Sequence, residues 1–244
     1  MDALNPIIKK AKPLYRELQA IYRNLPDTEC RCERPGICCA FLPEMTCIEA
    51  LQWFDIIQQM PARQRISTFQ RFVEFYLTNP IRSSSCPFLA DGSCSIYDFR
   101  TYACRAYGMW SRRIGDTRTR ANCQDREALV QRWQQFGVSL PAEMVESEFE
   151  YCDNVRCLSE KPLSDAQLMD FLQNVYRLDQ ALPEVRQKFE EDYHSDFSFW
   201  VACLVFGQRK AILGKFAVIK EIVQQVTDER LQAMLERVLS FRLL

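Results

Sequence analysis

Helical spacing of apolar positions dominates this chain, and sustained alternation of polar and apolar residues is scarce. Leu14, Leu18, Ile21 and Leu25 form one stripe, with Pro13 placed where a proline suits the first turn of a helix. Thr46 followed by Glu49 is a capping box, and it opens a helix whose apolar face is Trp53, Ile56, Ile57 and Met60. Pro61 ends that helix or starts the next, whose stripe is Ile66, Phe69, Val73 and Tyr76 and whose stop is Asn79-Pro80. From Arg82 to about Asn122 the pattern gives way to short, polar, cysteine-bearing loops, and helical spacing returns near Gln124. Ser164 and Gln167 make a second capping box ahead of Leu168, Phe171, Leu172 and Val175. Ile219, Ile222, Val223 and Val226, then Leu231, Met234, Leu235 and Val238, repeat the i, i+3, i+4, i+7 pattern. The predicted fold class is mainly α: a helical bundle with a loop-rich cysteine region set among the helices. Residues 1–160 read as that cysteine-cluster region with flanking helices, and 161–244 as a C-terminal helical region packed on it as one unit.

Composition narrows the class. The 244 residues are 48% hydrophobic and 26% charged, the balance of a globular protein with material for a packed core. Thirty-one basic residues against 32 acidic leave a net charge of −1, which argues against a general nucleic-acid or membrane-surface binder. The N-terminal segment lacks the apolar core of a secretory signal. The longest apolar stretch, Phe197 to Phe206, is about half a bilayer span. A cytoplasmic protein with no membrane contact is the expectation. No Gly-x-Gly-x-x-Gly or Gly-Lys-Ser/Thr loop is present, and a single histidine, His194, argues against a Ser-His-Asp hydrolase. No catalytic residue is assigned, and whether the protein is an enzyme stays open.

The chemistry lies in the twelve cysteines, eleven of which fall between Cys30 and Cys157. The first cluster is Cys30, Cys32, Cys38 and Cys39, on a segment that Pro35 and Gly36 turn back on itself. A tight loop lets ligands converge from several directions, where a straight helix does not. Vicinal Cys38 and Cys39 point different ways, so they serve two sites, or one ligates while the other packs. The second cluster is Cys86, Cys94 and Cys104, with the turn signal Asp91-Gly92 between the first two, and Cys123 follows. These eight thiols suffice for two four-thiolate sites, or for one site with spares. Cys47, Cys152 and Cys157 are further candidates; Cys203, in an apolar run, reads as a small buried hydrophobe, and His194 as a surface or capping residue. In a reducing compartment clustered cysteines bind metal more often than they form disulfides, and a disulfide scaffold is the remaining alternative.

The run Gly36-Ile37-Cys38-Cys39, then Cys86-Pro87-Phe88-Leu89, Cys94-Ser95-Ile96-Tyr97, Arg100 and Cys104-Arg105, resembles the YkgJ-type cysteine-cluster family, described as zinc- or iron-chelating. The resemblance covers about residues 30 to 125. It departs from the family's Cys-x-x-Cys-x-x-Cys-Cys signature at Pro35, which stands where the second cysteine is expected, and Thr101 follows Arg100 in place of proline. More distantly the segment is similar to the cysteine-rich part of flagellin lysine N-methylases, which implies iron–sulfur-linked methyl transfer to a protein lysine.

Thiolate-only ligation selects zinc, Cu(I) or iron–sulfur clusters and sets calcium and magnesium aside. Structural zinc usually takes paired Cys-x-x-Cys knuckles, and this chain has none, whereas iron–sulfur sites draw thiolates from more varied spacings. A 4Fe–4S cluster is therefore the first expectation, and Zn²⁺ the alternative. Between Arg100 and Arg126 stand seven arginines and two acids, Asp116 and Asp125. Arg100 and Arg105 are the candidates for offsetting the negative charge of such a centre; a solvated basic face, or a grip on an anionic substrate, are the competing readings. Phe88, Tyr97, Tyr102, Tyr107 and Trp110 are expected to jacket the second cluster. Three functions follow: an iron–sulfur protein for electron transfer or redox-linked modification of a protein partner, a zinc-stabilised interaction module, or an oxidised disulfide protein.

Overall fold

A computed structural model describes residues 4–30, 37–146, 152, 154–159 and 162–240. The elements in chain order are α1 (Asn5–Arg23), β1 (Thr28–Cys30), α2 (Cys47–Gln59), α3 (Ala62–Thr78), β2 (Leu89–Ala90), β3 (Ser93–Cys94), α4 (Tyr102–Arg105) and α5 (Arg112–Gln135), followed by α6 (Ala142–Glu146), β4 (Val155–Cys157), α7 (Asp165–Asp179), α8 (Pro183–Glu191), α9 (Phe197–Phe206), α10 (Gln208–Gln225) and α11 (Glu229–Ser240). The protein is mainly helical, and its described strands form two small antiparallel pairs, β1 with β4 and β2 with β3. Among the described residues no helix is long and apolar enough to cross a membrane.

Helix α2 is the axis of the fold. It is buried almost all round, from Cys47 through Asp55, and α1, α7, α8 and α3 pack about it. Both of its ends are specified. At the start, Thr46 donates its backbone N–H (2.8 Å) and its hydroxyl (2.9 Å) to Glu49, and Asp179 at the end of α7 accepts the N–H groups of Cys47 (2.9 Å) and Ile48 (2.7 Å). Those backbone donors have no partner inside the helix, so a carboxylate from another helix satisfies them and meets the positive end of the dipole. Met60 and Pro61, both extended, then separate α2 from α3.

The core is an aromatic cluster that draws on distant parts of the chain. Trp53 of α2 meets Phe88 (4.8 Å) and Phe197 (5.3 Å) edge-on, Phe54 meets Trp200 (4.9 Å), and Phe72 of α3 meets Phe88 (5.1 Å) and Phe197 (4.9 Å). Such pairs contribute about 0.5–1.5 kcal/mol each beyond the area they bury. Helix α9, apolar on all sides, is the buried element that α3 and α10 cover. A smaller cluster of Ile81, Val138 and Ile219 ties α10 to the end of α5.

Three expectations need correction. Pro13 lies inside α1, not in its first turn; Pro6 takes that place. The buried stripe Ile8, Ala11, Leu18 and Tyr22 carries the helix through the one backbone bond that Pro13 cannot donate. The fourth long helix of the N-terminal part starts at Arg112, twelve residues before Gln124. No residue of α5 is fully buried, so this arginine-rich helix has no apolar stripe to announce it, and its start is set by Ser111, whose hydroxyl accepts from Ile114 N–H. Val226 does not continue the stripe of α10; it is the left-handed residue that ends the helix, and it is 88% exposed.

Candidate metal centre

The two cysteine clusters meet. Cys38 and Cys39 lie on a single turn of 3-10 helix, Ile37–Cys39, and the carbonyl of Cys39 accepts the backbone N–H of Cys86 at 2.6 Å. From Cys86 the chain makes a turn closed by Leu89 N–H on Cys86 C=O (2.8 Å), and Phe88 plugs the core beside Trp53 and Phe72. The β2–β3 hairpin follows. Its two-residue turn is Asp91-Gly92 with φ of +49° and +74°, and it puts Cys94 opposite Leu89. Ile96, buried, leads to a 3-10 turn and then to α4. There Thr101 caps the helix, and its hydroxyl lies 3.4 Å from both the backbone N and the sulfur of Cys104.

Five thiols are within electrostatic reach of one another. Cys86, Cys94 and Cys104 each feel the other two or are felt by them. Cys39 feels Cys86, Cys104 and its neighbour Cys38, and Cys38 in turn acts on Cys94. Burial pushes Cys86 up to about 12 and Cys104 up to about 11, and it raises Cys94 as well. The vicinal pair splits. A hydrogen bond between the two holds Cys38, the exposed member, below its ordinary value with help from Arg100, and pushes Cys39 up. Among the described residues, however, no three side chains of His, Cys, Asp or Glu stand close enough to enclose a single metal ion.

Three cations face the group. Arg100 acts on Cys38, Cys94 and Cys104. Arg105 lies in reach of Cys104, donates to the carbonyls of Arg100 (2.9 Å) and Asp98 (2.5 Å), and stacks over Tyr22 at 4.6 Å. Arg71 of α3 acts on Cys86, and its Nε is buried with no hydrogen-bond partner. An orphaned guanidinium N–H next to buried thiols is an electrostatic deficit that an anionic thiolate centre removes. On the other side, Glu49 adds negative charge near Cys104. It is itself buried and accepts from Tyr22 Oη, Thr46 N–H, Thr46 Oγ1 and Tyr102 N–H. Sequence reasoning finds neither Arg71 nor the reach of Glu49: the capping box marks Glu49 as a helix cap, and nothing local marks Arg71 at all. The soft, oxygen-free donor set and the three guanidinium groups fit a thiolate-bound metal centre.

The remaining candidates are placed apart. The side chains of Cys30 and Cys32 lie outside the described residues, although the backbone of Cys30 pairs with Val155 in the β1–β4 ladder. Cys123 is half-buried in the middle of α5 and shares no described interaction with the five thiols. Cys157 meets Ser159 Oγ at 2.9 Å, Cys152 is buried, and Cys47 is buried at the start of α2. Cys203 packs half-buried against the core, where burial pushes its thiol up to about 12. Arg112 pairs with Asp116 (3.1 Å), Arg113 with Asp165 (3.6 Å), Arg118 lies over Trp110 (5.0 Å) and Arg120 reaches Thr117 (3.4 Å). These four arginines decorate the exposed face of α5. Of the aromatic jacket, Phe88, Tyr102 and Trp110 are buried, whereas Tyr97 is 56% exposed beneath Arg100 at 3.6 Å. His194 is exposed and stacks on Phe199. No protein-family model, curated protein or solved structure matches the chain.

Proposed function

We propose that this chain is a cytoplasmic metalloprotein whose clustered thiols hold a 4Fe–4S centre, used for electron transfer or for redox-linked modification of a protein partner. The observation that carries the proposal is the meeting of Cys38–Cys39 with Cys86, Cys94 and Cys104 beside Arg71, whose Nε is buried without a hydrogen-bond partner. Cys86, Cys94 and Cys104 supply three ligands and the vicinal pair supplies the fourth. The irregular spacing of the cysteines along the chain, with no Cys-x-x-Cys pair, favours a cluster over a structural zinc ion. The resemblance to the YkgJ-type family, described as zinc- or iron-chelating, supports a thiolate-bound metal without choosing between the two.

The bound centre would supply one-electron oxidation and reduction. The chain's own residues do the rest. Arg71, Arg100 and Arg105 offset the negative charge that four thiolates bring. The Thr101 hydroxyl lies within hydrogen-bonding reach of the Cys104 sulfur, and Phe88, Tyr102 and Trp110 exclude water from the inner side. Cys38, exposed beside Arg100 and Tyr97, marks the side from which a redox partner approaches.

Anaerobic purification with iron and acid-labile sulfide analysis tests the proposal. The expected product is brown, with broad absorbance near about 400 nm that bleaches on reduction. Cys86→Ser, Cys94→Ser and Cys104→Ser each lower the metal content, and Cys203→Ser leaves it unchanged. Stoichiometric zinc in a colourless protein replaces this reading with a zinc-stabilised interaction module. Absence of free thiols after unfolding without reductant replaces it with a disulfide scaffold, and equal metal in all four variants removes the ligand assignment.

A further inference from the structure

A cavity of about 740 Å³ lies behind the cysteine turn, between the segment 40–44, the end of α3, the second half of α5 and the middle of α10. Its volume suits a small organic molecule. Phe75, Leu129, Trp133 and Leu140 form its apolar walls. Trp133 is fixed by stacking on Phe216 at 5.6 Å, so the wall is in place before any ligand arrives. At the inner end sits Lys215. Its ammonium donates to Asn79 Oδ1 (2.9 Å) and lies 4.4 Å from the ring of Tyr76, which is 5% exposed.

Among the described residues Lys215 makes no ion pair inside the cavity: no carboxylate stands within ion-pair distance of it. Asp196, which also lines the cavity and acts on it electrostatically, stays beyond ion-pair distance and caps α9 through Oδ1, which accepts from Ser198 N–H, Ser198 Oγ and Phe199 N–H. Glu44 and Asp125 also line the cavity, but they are exposed, as are Arg82 and Arg132, and Arg126 is half-buried there, so four cations face three carboxylates around it. An ammonium has three donors, and Asn79 takes one. Burial lowers the lysine to about 8, and the more distant Asp196 opposes that shift only in part.

We propose that this cavity binds a small organic carboxylate with an apolar, aromatic-sized body, its charge on Lys215 and its body against Trp133, Leu129 and Phe75. The site stands independently of the metal assignment. One ammonium at depth matches a singly charged group, and the apolar walls match a body that a phosphate or a sugar lacks.

Calorimetric titration of the purified protein with 4-phenylbutyrate tests it, with 4-phenylbutanol and 4-phenylbutylamine as neutral and cationic probes of the same body. The expected result is saturable 1:1 binding of the carboxylate, accompanied by a change in tryptophan fluorescence, and weaker binding of the alcohol and the amine. Lys215→Met should weaken the carboxylate by about tenfold to a hundredfold, the contribution of a charge-assisted hydrogen bond, and leave the alcohol unchanged. Leu129→Glu, at an exposed wall position, should weaken the carboxylate without disturbing the fold. No saturable binding, an amine that binds as tightly as the carboxylate, or unchanged carboxylate affinity in both variants would each overturn the proposal.

Discussion

Two buried carboxylates hold the centre of the molecule together, and they do so differently. Glu49 is the common acceptor for donors from α1, the start of α2 and α4, so it fixes the cysteine-bearing turn of α4 against the core. Glu49→Ala leaves those donors buried without an acceptor, and we expect a loss of about 3–5 kcal/mol in urea denaturation. Glu49→Gln keeps one acceptor oxygen and should lose less. Asp179 accepts two backbone N–H groups, but burial outweighs them and pushes its carboxyl up to about 7, above its ordinary 3.8. Between these values the folded protein keeps a proton that the unfolded chain has released. The contribution of this group is therefore fully present below about pH 4, falls as pH rises toward 7, and is level above that. Asp179→Asn has no proton to lose there. The difference in stability between the two proteins should shift in favour of the variant from pH 4 to pH 7; parallel curves across that window would refute the assignment.

At the level of elements, strong local signals translated directly into structure. The boxes at Thr46–Glu49 and Ser164–Gln167 open helices at Cys47 and Asp165, and Asp91-Gly92 makes the hairpin that presents Cys94. Cysteine spacing brought eight thiols forward in two clusters; Cys38, Cys39, Cys86, Cys94 and Cys104 come together, Cys123 stands apart on α5, and the side chains of Cys30 and Cys32 lie outside the described residues. What sequence left hidden depends on contacts between distant elements. Helix α5 begins at Arg112 because Asp165 of α7 accepts both the N–H (2.8 Å) and the hydroxyl (2.6 Å) of Ser111, a bond across 54 residues that no window detects. Arg71 is hidden for the same reason, and α1 passes through Pro13 because tertiary burial overrides propensity. That proline is exposed, and its cost remains. Pro13→Ala restores a backbone donor, and after the gain in unfolded-chain entropy it should stabilise by about 1–2 kcal/mol, read as a higher Tm. Gly108 is the opposite case. It has φ +75°, and a Cβ there would stand 2.6 Å from Val155 Cγ2 and 3.3 Å from the carbonyl of Cys152. Gly108→Ala should destabilise by about 1–3 kcal/mol and loosen β4 from the α4–α5 turn.

Across the whole molecule, the cysteine turns depend on helices far along the chain. Phe88 anchors the segment that follows Cys86, and it rests on Trp53 and Phe72. Those two rings rest in turn on Phe197 of α9, at 5.3 and 4.9 Å. Residues 161–244 therefore supply one wall of the pocket that positions the thiols, although they contain none of the candidate ligands. Separated from them, residues 1–160 would expose Trp53, Phe54 and Phe72 to water and lose the caps that Asp179 provides to α2. We expect that fragment to lack near-ultraviolet circular dichroism and a cooperative melting transition, while the full chain unfolds in one step. Phe197→Ala in the full chain makes the milder test. A buried phenylalanine truncated to alanine costs about 3–5 kcal/mol, and here the cavity opens against Trp53 and Phe72, the two rings on which Phe88 rests. If the aromatic chain transmits support to the cysteine turns, this variant binds less metal than Cys203→Ser at equal global stability, because Cys203 lies outside that chain of contacts. Equal metal content in the two would mean that the turns hold their shape without the C-terminal helices.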